Sequence, residues 1–143
     1  MLGSWDVAWE QEHGAGAYRD LIDQSLAAFR AGGGKVLWLS ALPGGDPDAS
    51  SLDQYYADLE QQYPGVVDYL DIEPALRGPD GDWPRVVDGH VLRQLDGWHL
   101  CQDGADAVAS ATLTHLGLET PSWHAGPWRT DGRYAPENQG CTS

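Results

Sequence analysis

Lys35-Val36-Leu37-Trp38-Leu39-Ser40 is the run of sequence that says most about the architecture, because it is almost continuously apolar and lies between segments of helical character. Val66-Val67-Asp68-Tyr69-Leu70 is a second run of the same kind. Strands that are buried on both faces, as in a parallel sheet, have this composition. We therefore predict that both runs are strands of one parallel sheet covered by helices.

Three segments around these runs carry apolar residues at helical spacing. They extend from Tyr18 to Phe29, from Leu52 to Tyr63 and from Ala105 to Leu116. Gly32 and Gly117 follow the first and the third, where glycine ends a helix at little conformational cost, and Asp103 suits the N-cap of the third. The order helix, strand, helix, strand, loop, helix predicts an α/β fold of the doubly wound kind.

Two further segments are predicted to lack helical structure. Met1-Leu2-Gly3-Ser4-Trp5 has the composition of a buried strand that ends in a turn. Residues 73–90 are rich in Gly, Pro and Asp, and we expect a long loop there. Loops that follow the carboxyl ends of parallel strands are where open α/β sheets bind their ligands.

The charge balance limits the classes of partner. With 143 residues the chain is long enough for one domain, and its 22 acidic residues outnumber 8 basic ones for a formal charge of -14. Such a surface repels nucleic-acid phosphates and anionic lipid, and no apolar run approaches the length of a membrane span. We therefore expect no nucleic acid and no membrane insertion by this chain, and a neutral or cationic small-molecule substrate.

The two cysteines, Cys101 and Cys141, permit one disulfide that closes a loop of about 40 residues. On the chain-entropy model such a closure stabilises the fold by about 4 kcal/mol. A disulfide would also imply an oxidising compartment. The spacing alone leaves two unpaired thiols as the alternative.

The segment Asp96-Gly97-Trp98-His99-Leu100 has the strongest functional character in the chain. A hydrolase base needs an imidazole and a carboxylate that holds its tautomer. An Asp-x-x-His turn can place both groups on one loop and leave the second ring nitrogen facing a nucleophile. We interpret His99 as the general base and Asp96 as its orienting partner; a surface histidine beside an aspartate is the alternative.

The residues around this pair resemble a known family. Arg93 to Ala109 is similar to the last block of SGNH (GDSL-type) hydrolases, in which Asp-x-x-His precedes an apolar residue, a Gly-Ala pair and the C-terminal helix. Gly3-Ser4-Trp5-Asp6 looks like the family's Gly-x-Asn-Asp block, which follows its third strand. Within the family the likeness is strongest to SGNH domains at the C-terminus of actinobacterial acyltransferase-3 membrane proteins, which share a tail like Trp128 to Tyr134 that ends at a cysteine.

The resemblance implies a partial flavodoxin-like SGNH three-layer sandwich with a parallel sheet that lacks its first strands. This domain would occupy residues 1–118, with a Trp-rich tail over residues 119–143 packed on it. The family's Gly-Asp-Ser nucleophile block is absent from the sequence, so no serine is assigned as nucleophile. The strand Lys35–Ser40 would then present an open edge through which the chain could form oligomers.

The resemblance also implies a function: an ester hydrolase or O-acyltransferase that acts on acyl (acetyl) esters of extracytoplasmic glycans, without a cofactor. His99 and Asp96 would be catalytic, and Gly3, Trp5 and Asp6 would line the cleft or bind the oxyanion. Without the serine block, the domain is expected to be incomplete as an enzyme. An extracytoplasmic location on the cell-surface side follows from the same resemblance and from the disulfide.

Two other classes of function stay open. Seven tryptophans make a non-catalytic carbohydrate-binding or interaction module the main alternative, because sugars stack on exposed aromatic rings. Trp38 is expected in the core, and the others lie in predicted loops or near strand ends: Trp5, Trp9, Trp83, Trp98, Trp123 and Trp128. A zinc site could use Asp88, His90, Asp96 and His99, but no His-Glu-x-x-His spacing or cysteine pair supports it, and we expect no metal.

Overall fold

The computed structural model describes residues 4–42, 52–119 and 140–142, and within them the chain is mixed α/β. The chain divides after Asp71 into two compact units, and the predicted domain bounds of 1–118 stay a prediction. The first unit contains α1 (Ser4–His13), α2 (Ala15–Ala31), β1 (Val36–Leu39), α3 (Asp53–Gln62) and β2 (Val67–Leu70). The second contains a 3-10 turn (Glu73–Ala75), β3 (Val86–Val87), β4 (His90–Val91) and α4 (Gln102–His115).

The two apolar runs pair as the sequence predicts. β1 and β2 form a two-stranded parallel sheet with Val36 opposite Val67 and Leu39 opposite Leu70. The α3 helix lies between them in sequence, so β1, α3 and β2 form one βαβ unit. The predicted parallel pairing and the predicted α/β class are thus confirmed for the described residues.

The core of the first unit is an apolar cluster formed by the helices and the sheet. Its fully or nearly buried members are Val7, Tyr18, Ile22, Leu26, Trp38, Ala41, Leu52, Tyr56, Leu59 and Val67. Within it the hydroxyls of Tyr18 and Tyr56 lie 2.8 Å apart, and the Tyr18 hydroxyl also donates to Asp6 at 3.2 Å. Burial raises the pKa of both phenols far above the ordinary value, so the pair stays neutral and hydrogen-bonded inside the core.

The prediction for the amino-terminal segment is wrong where it can be tested. Ser4 and Trp5 begin helix α1 and do not end a strand, while Met1–Gly3 lie outside the described residues. Neither Gly nor Pro occurs between Ser4 and His13, and Ala, Glu and Gln favour the helix. Asp6 in the first turn and His13 in the last turn complement the helix dipole.

The predicted loop over residues 73–90 is also wrong in part, because it contains the 3-10 turn and one strand of a hairpin. β3 pairs antiparallel with β4 through the two-residue connection Asp88-Gly89. Asp88 has φ 49° and Gly89 has φ 84°, which is the left-handed backbone that a tight Asp-Gly hairpin turn requires. The two-residue strands are too short for an alternating pattern to reveal them.

The start of α4 lies two residues before the predicted one. Cys101, with an extended backbone, occupies the N-cap position, and no side chain caps the helix. Asp103 lies inside the first turn instead, where its carboxylate accepts a hydrogen bond from the Val91 backbone N–H at 3.2 Å. The aspartate expected to cap the helix therefore ties α4 to the hairpin. Nowhere in residues 4–42, 52–119 and 140–142 is there a helix with the length and apolar character needed to cross a membrane.

The outer edge of β1 gives a testable prediction about self-association. The Val36 N–H donates to the Val66 carbonyl, directly before β2, at 2.8 Å, and the Ser40 N–H donates to the Leu70 carbonyl at 2.9 Å. The alternation of a parallel ladder therefore directs the N–H groups of Leu37 and Leu39 away from β2. No described strand pairs with that edge. We expect the wild-type chain to self-associate with rising concentration and Leu37→Pro to weaken this association, because proline removes an edge donor.

Trp38→Pro is the matched control, because its N–H faces β2 in the same alternation and its loss should unfold the first unit. Sedimentation velocity measures the association, and circular dichroism verifies that Leu37→Pro remains folded. A wild-type chain that is monomeric at high concentration, or a folded Leu37→Pro variant that associates as the wild type does, contradicts this expectation.

Candidate functional site

A closed turn in the second unit carries the predicted acid–base pair. Arg93 and Leu100 form an isolated antiparallel bridge, and the Gln94 N–H donates to the His99 carbonyl at 2.8 Å. Gly97 has φ 86°, a left-handed conformation that a residue with a side chain would adopt only with strain. The turn therefore needs glycine at that position. The resulting backbone places the side chains of Asp96 and His99 next to each other.

The two oxygens of the Asp96 carboxylate have separate roles. Oδ1 accepts hydrogen bonds from the backbone N–H groups of Trp98 and His99, at 3.1 and 3.0 Å, and so closes the turn. Oδ2 lies 2.6 Å from Nδ1 of His99, which holds the proton on that nitrogen when the ring is neutral. Nε2 then has a lone pair and no hydrogen-bond partner among the described residues, and the imidazole is 55% exposed.

The electrostatics of the pair favour an ionised carboxylate. Partial burial acts to raise the pKa of Asp96, but the hydrogen bonds from the His99 ring and from the His99 and Trp98 backbone outweigh it. The net effect holds the pKa of Asp96 below its ordinary value. Asp96 is therefore charged whenever His99 could act as a base, and it can stabilise the imidazolium that forms.

Helix α4 fixes the carboxyl-terminal side of the turn. The Cys101 N–H donates to the Leu92 carbonyl at 2.9 Å, next to the bridge between Arg93 and Leu100. Gly104 allows this close approach, because a Cβ atom there would lie only 2.2 Å from the Leu92 carbonyl oxygen. The Gly-Ala pair that follows the histidine in the sequence thus has a packing role beneath the turn.

The two cysteines form a disulfide at the foot of the turn, between Cys101 and Cys141. Arg85 holds the tail on the other side, because its Nη2 donates to the carbonyls of Gly140 and Thr142 at 2.6 Å each. The end of the tail is thereby attached directly to the residues that carry Asp96 and His99.

The surface beside the pair is partly apolar. The ring centroids of Trp98 and His99 lie 4.3 Å apart with a tilt of 36°. Leu95, which directly precedes Asp96, is 79% exposed. An apolar group of a ligand could therefore contact Trp98 while its polar group approaches Nε2 of His99.

The other predicted site residues belong to the first unit. Asp6 is in α1 and receives the hydrogen bond from Tyr18 described above. Trp5 begins α1, and Gly3 lies outside the described residues, so the proposed oxyanion and cleft roles of these residues remain predictions.

The described tryptophan rings differ in their surroundings. Trp38 is 8% exposed and belongs to the core, as predicted. Trp9 stacks on His13 with ring centroids 4.2 Å apart. Two guanidinium groups cover Trp83, those of Arg77 and Arg93, at 4.6 and 4.3 Å from the ring centroid. Trp123 and Trp128 lie outside the described residues, and among the described rings it is Trp98 that lies beside His99.

A second histidine–aspartate pair was not predicted. Nδ1 of His90 lies 3.3 Å from Oδ2 of Asp103, beside a cavity of about 320 Å³ between the hairpin and α4. The two residues are distant in sequence, so only the hairpin and the early start of α4 bring them together. In the described part of the chain no three His, Cys, Asp or Glu residues group as ligands for a metal ion.

The lowered pKa of Asp96 predicts how stability depends on pH. The folded-state pKa lies below that of the unfolded chain, about 3.9, so the contribution is present above that pH and is lost as the pH falls through the folded pKa. Because the side chain is 38% exposed and screened by solvent, we expect less than about 1 kcal/mol.

We therefore expect Asp96→Asn to lower the free energy of unfolding near pH 6 and to have a smaller effect near pH 3. Urea denaturation at both pH values measures the difference. Asp88→Asn is a suitable control, since asparagine tolerates the left-handed backbone of the hairpin turn. A loss that is equal at both pH values would show that the hydrogen bonds of Asp96 do not depend on its charge.

Comparison with known proteins yields no relative that could assign a role to these residues. No family model, curated protein or solved structure matches the chain. The chemical capacity of the turn therefore follows from its own geometry: a charged carboxylate, an oriented imidazole and a second ring nitrogen that binds no described residue.

Proposed function

We propose that the chain carries the base-bearing part of an SGNH-type acyl-transfer domain, which hydrolyses or transfers O-acyl esters. The observation that supports this most is the 2.6 Å contact between Asp96 Oδ2 and His99 Nδ1. It has the orientation of the carboxylate–imidazole pair in serine hydrolases, with the second ring nitrogen left to take a proton. The substrates proposed are acyl, in particular acetyl, esters of extracytoplasmic glycans.

In this proposal His99 Nε2 removes the proton of the attacking hydroxyl, and the Asp96 carboxylate stabilises the resulting imidazolium. General base catalysis of this kind contributes about 10²- to 10⁴-fold to a rate. The attacking hydroxyl comes from water or from a serine, and the sequence offers no Gly-Asp-Ser that would identify one. The proton then passes from His99 to the leaving alcohol when the ester bond breaks.

The strand–helix–strand unit of residues 36–70 supports the fold that we propose, a flavodoxin-like SGNH sandwich. Its β1–α3–β2 arrangement is the repeating unit of doubly wound, flavodoxin-like sheets. In such folds catalytic groups lie beyond the carboxyl ends of the strands. The proposed fold is the corresponding part of an SGNH three-layer sandwich.

Hydrolysis of an activated acetyl ester such as p-nitrophenyl acetate tests the proposal, because an oriented imidazole can act on such an ester without a serine. We expect slow hydrolysis by the wild-type chain and a loss of about 10²-fold or more of the protein-dependent rate in His99→Ala. Asp96→Asn should also lower the rate, because asparagine no longer stabilises the imidazolium.

His90→Ala is the matched control, since His90 is also an exposed histidine paired with an aspartate. Its rate should equal that of the wild type. If His99→Ala and His90→Ala lose the same small part of the rate, or the wild type does not exceed the buffer background, His99 is not the base of an acyl-transfer site.

A carbohydrate-binding role is the second candidate, and the exposure of Leu95 and the position of Trp98 beside an imidazole favour it. Tryptophan rings at protein surfaces bind the apolar faces of sugars. Titration with acetylated and deacetylated glycans, followed by tryptophan fluorescence, separates the two functions. Saturable binding that Trp98→Ala abolishes, without ester turnover, would support the binding module over the enzyme.

A further inference from the structure

We propose that the Cys101–Cys141 disulfide is a redox-sensitive clamp that holds the Asp96–His99 turn in its active geometry and that reduction releases it. The catalytic consequence rests on the proposed function, but the structural consequence does not. The proposal concerns the regulation of one site by the thiol–disulfide state of residues that are not themselves catalytic.

The disulfide lies close to the acid–base pair along the backbone. Cys101 is two residues after His99 and directly follows the bridge residue Leu100. Its N–H is bound to the Leu92 carbonyl at 2.9 Å, and its side chain is 3% exposed. A change in the position of the Cys101 sulfur is therefore transmitted to His99 through the backbone of one intervening residue.

The tail contacts the other side of the turn as well. A Cβ atom on Gly140 would lie 2.9 Å from Cγ of Leu95, so the tail backbone is packed directly against the residue that precedes Asp96. Residues 140–142 thus contact the segment on both sides of the acid–base pair, at Leu95 and at Cys101. These three residues therefore restrain the turn on both sides while Asp96 and His99 stay exposed.

The reduction can be written with a dithiol as the reductant. Its thiolate attacks Cys141, which is the less buried of the two cysteines, and forms a mixed disulfide while Cys101 leaves as a thiolate. The second thiol of the reductant then attacks the mixed disulfide, and Cys141 leaves as a thiolate. The dithiol thereby gives two electrons and two protons to the protein, which ends with two thiols, and the dithiol ends as its own disulfide. The amino terminus of α4, where Cys101 is the N-cap, stabilises the departing negative charge.

Reduction should affect the acid–base pair more than the fold of the unit. The turn keeps its own bonds, between Gln94 and His99 and between Arg93 and Leu100, and Arg85 still binds the tail. What is lost is the covalent restraint at Cys101, so that the hydrogen bonds from Arg85 are the restraint left on the position of Gly140 against Leu95. The 2.6 Å hydrogen bond between Asp96 and His99 is at the exposed tip of this turn, where its geometry depends on such support.

NMR of the full chain tests the clamp without requiring catalysis. The carboxyl carbon of Asp96 and the ring signals of His99 are followed against pH before and after reduction by dithiothreitol. We expect the pKa of Asp96 to move from its lowered position towards the ordinary value on reduction, and reoxidation to reverse the change. The ring signals of His13, in the first unit, should not change.

Where the chain hydrolyses the activated ester, the His99-dependent rate should fall by about tenfold to a hundredfold on reduction, because small displacements of catalytic groups have effects of this size. The double variant Cys101→Ser with Cys141→Ser should behave as the reduced protein does. Arg85→Gln loosens the tail with the disulfide intact and should shift the Asp96 titration in the same direction. Arg77→Gln should have no such effect, because this arginine of the same unit binds Glu73 and Gly81 and makes no hydrogen bond to residues 140–142.

Two results would overturn the clamp. An Asp96 titration that is identical in the oxidised and reduced chains would show that the disulfide does not act on the pair. Loss of the folded signals of α4 on reduction would show that it is a structural crosslink without regulatory character. Absence of ester turnover in both redox states would count against the proposed acyl transfer alone, since the NMR titration still decides whether the clamp operates.

Discussion

The hydrogen bond between the Asp96 carboxylate and Nδ1 of His99 is the interaction on which the functional interpretation depends. One carboxylate oxygen lies 2.6 Å from the ring nitrogen, while the other accepts hydrogen bonds from two backbone N–H groups. That division is possible only because Gly97 adopts a left-handed backbone. The left-handed backbone of one glycine thus allows the turn to orient the His99 imidazole, with Nδ1 on the carboxylate and Nε2 bound to no described residue.

The architecture around this turn was predictable where the sequence pattern is long and continuous. The apolar runs of β1 and β2 and the helical spacing of α2, α3 and α4 identified those elements, because burial on known faces leaves a regular signal. The start of α1 differs from the predicted strand end, because the composition of the five residues Met1–Trp5 indicates less than the helix-forming composition of the whole segment Ser4–His13. The hairpin of β3 and β4 has too few residues to show any period.

The functional residues that the sequence reveals are likewise those whose contact is local in the chain. Asp96 and His99 were identified because their pairing is contained in four consecutive residues. His90 and Asp103 meet only through the hairpin and α4, so no local spacing reveals them. The disulfide is an intermediate case, because the spacing of the two cysteines permits it but leaves unpaired thiols as the alternative, and the structure shows the bond two residues after His99. Trp83 shows the converse, because its covering by two arginines depends on packing that composition does not encode.

The most direct test of the account is the tautomer of His99 in its neutral form, read from the nitrogen chemical shifts of the ring in a long-range ¹H–¹⁵N correlation spectrum. The account predicts that Nδ1 carries the proton and Nε2 does not, and that this preference weakens in Asp96→Asn. A neutral His99 that carries its proton on Nε2 would contradict the central claim, because the nitrogen that should accept a proton from the attacking hydroxyl would already hold one.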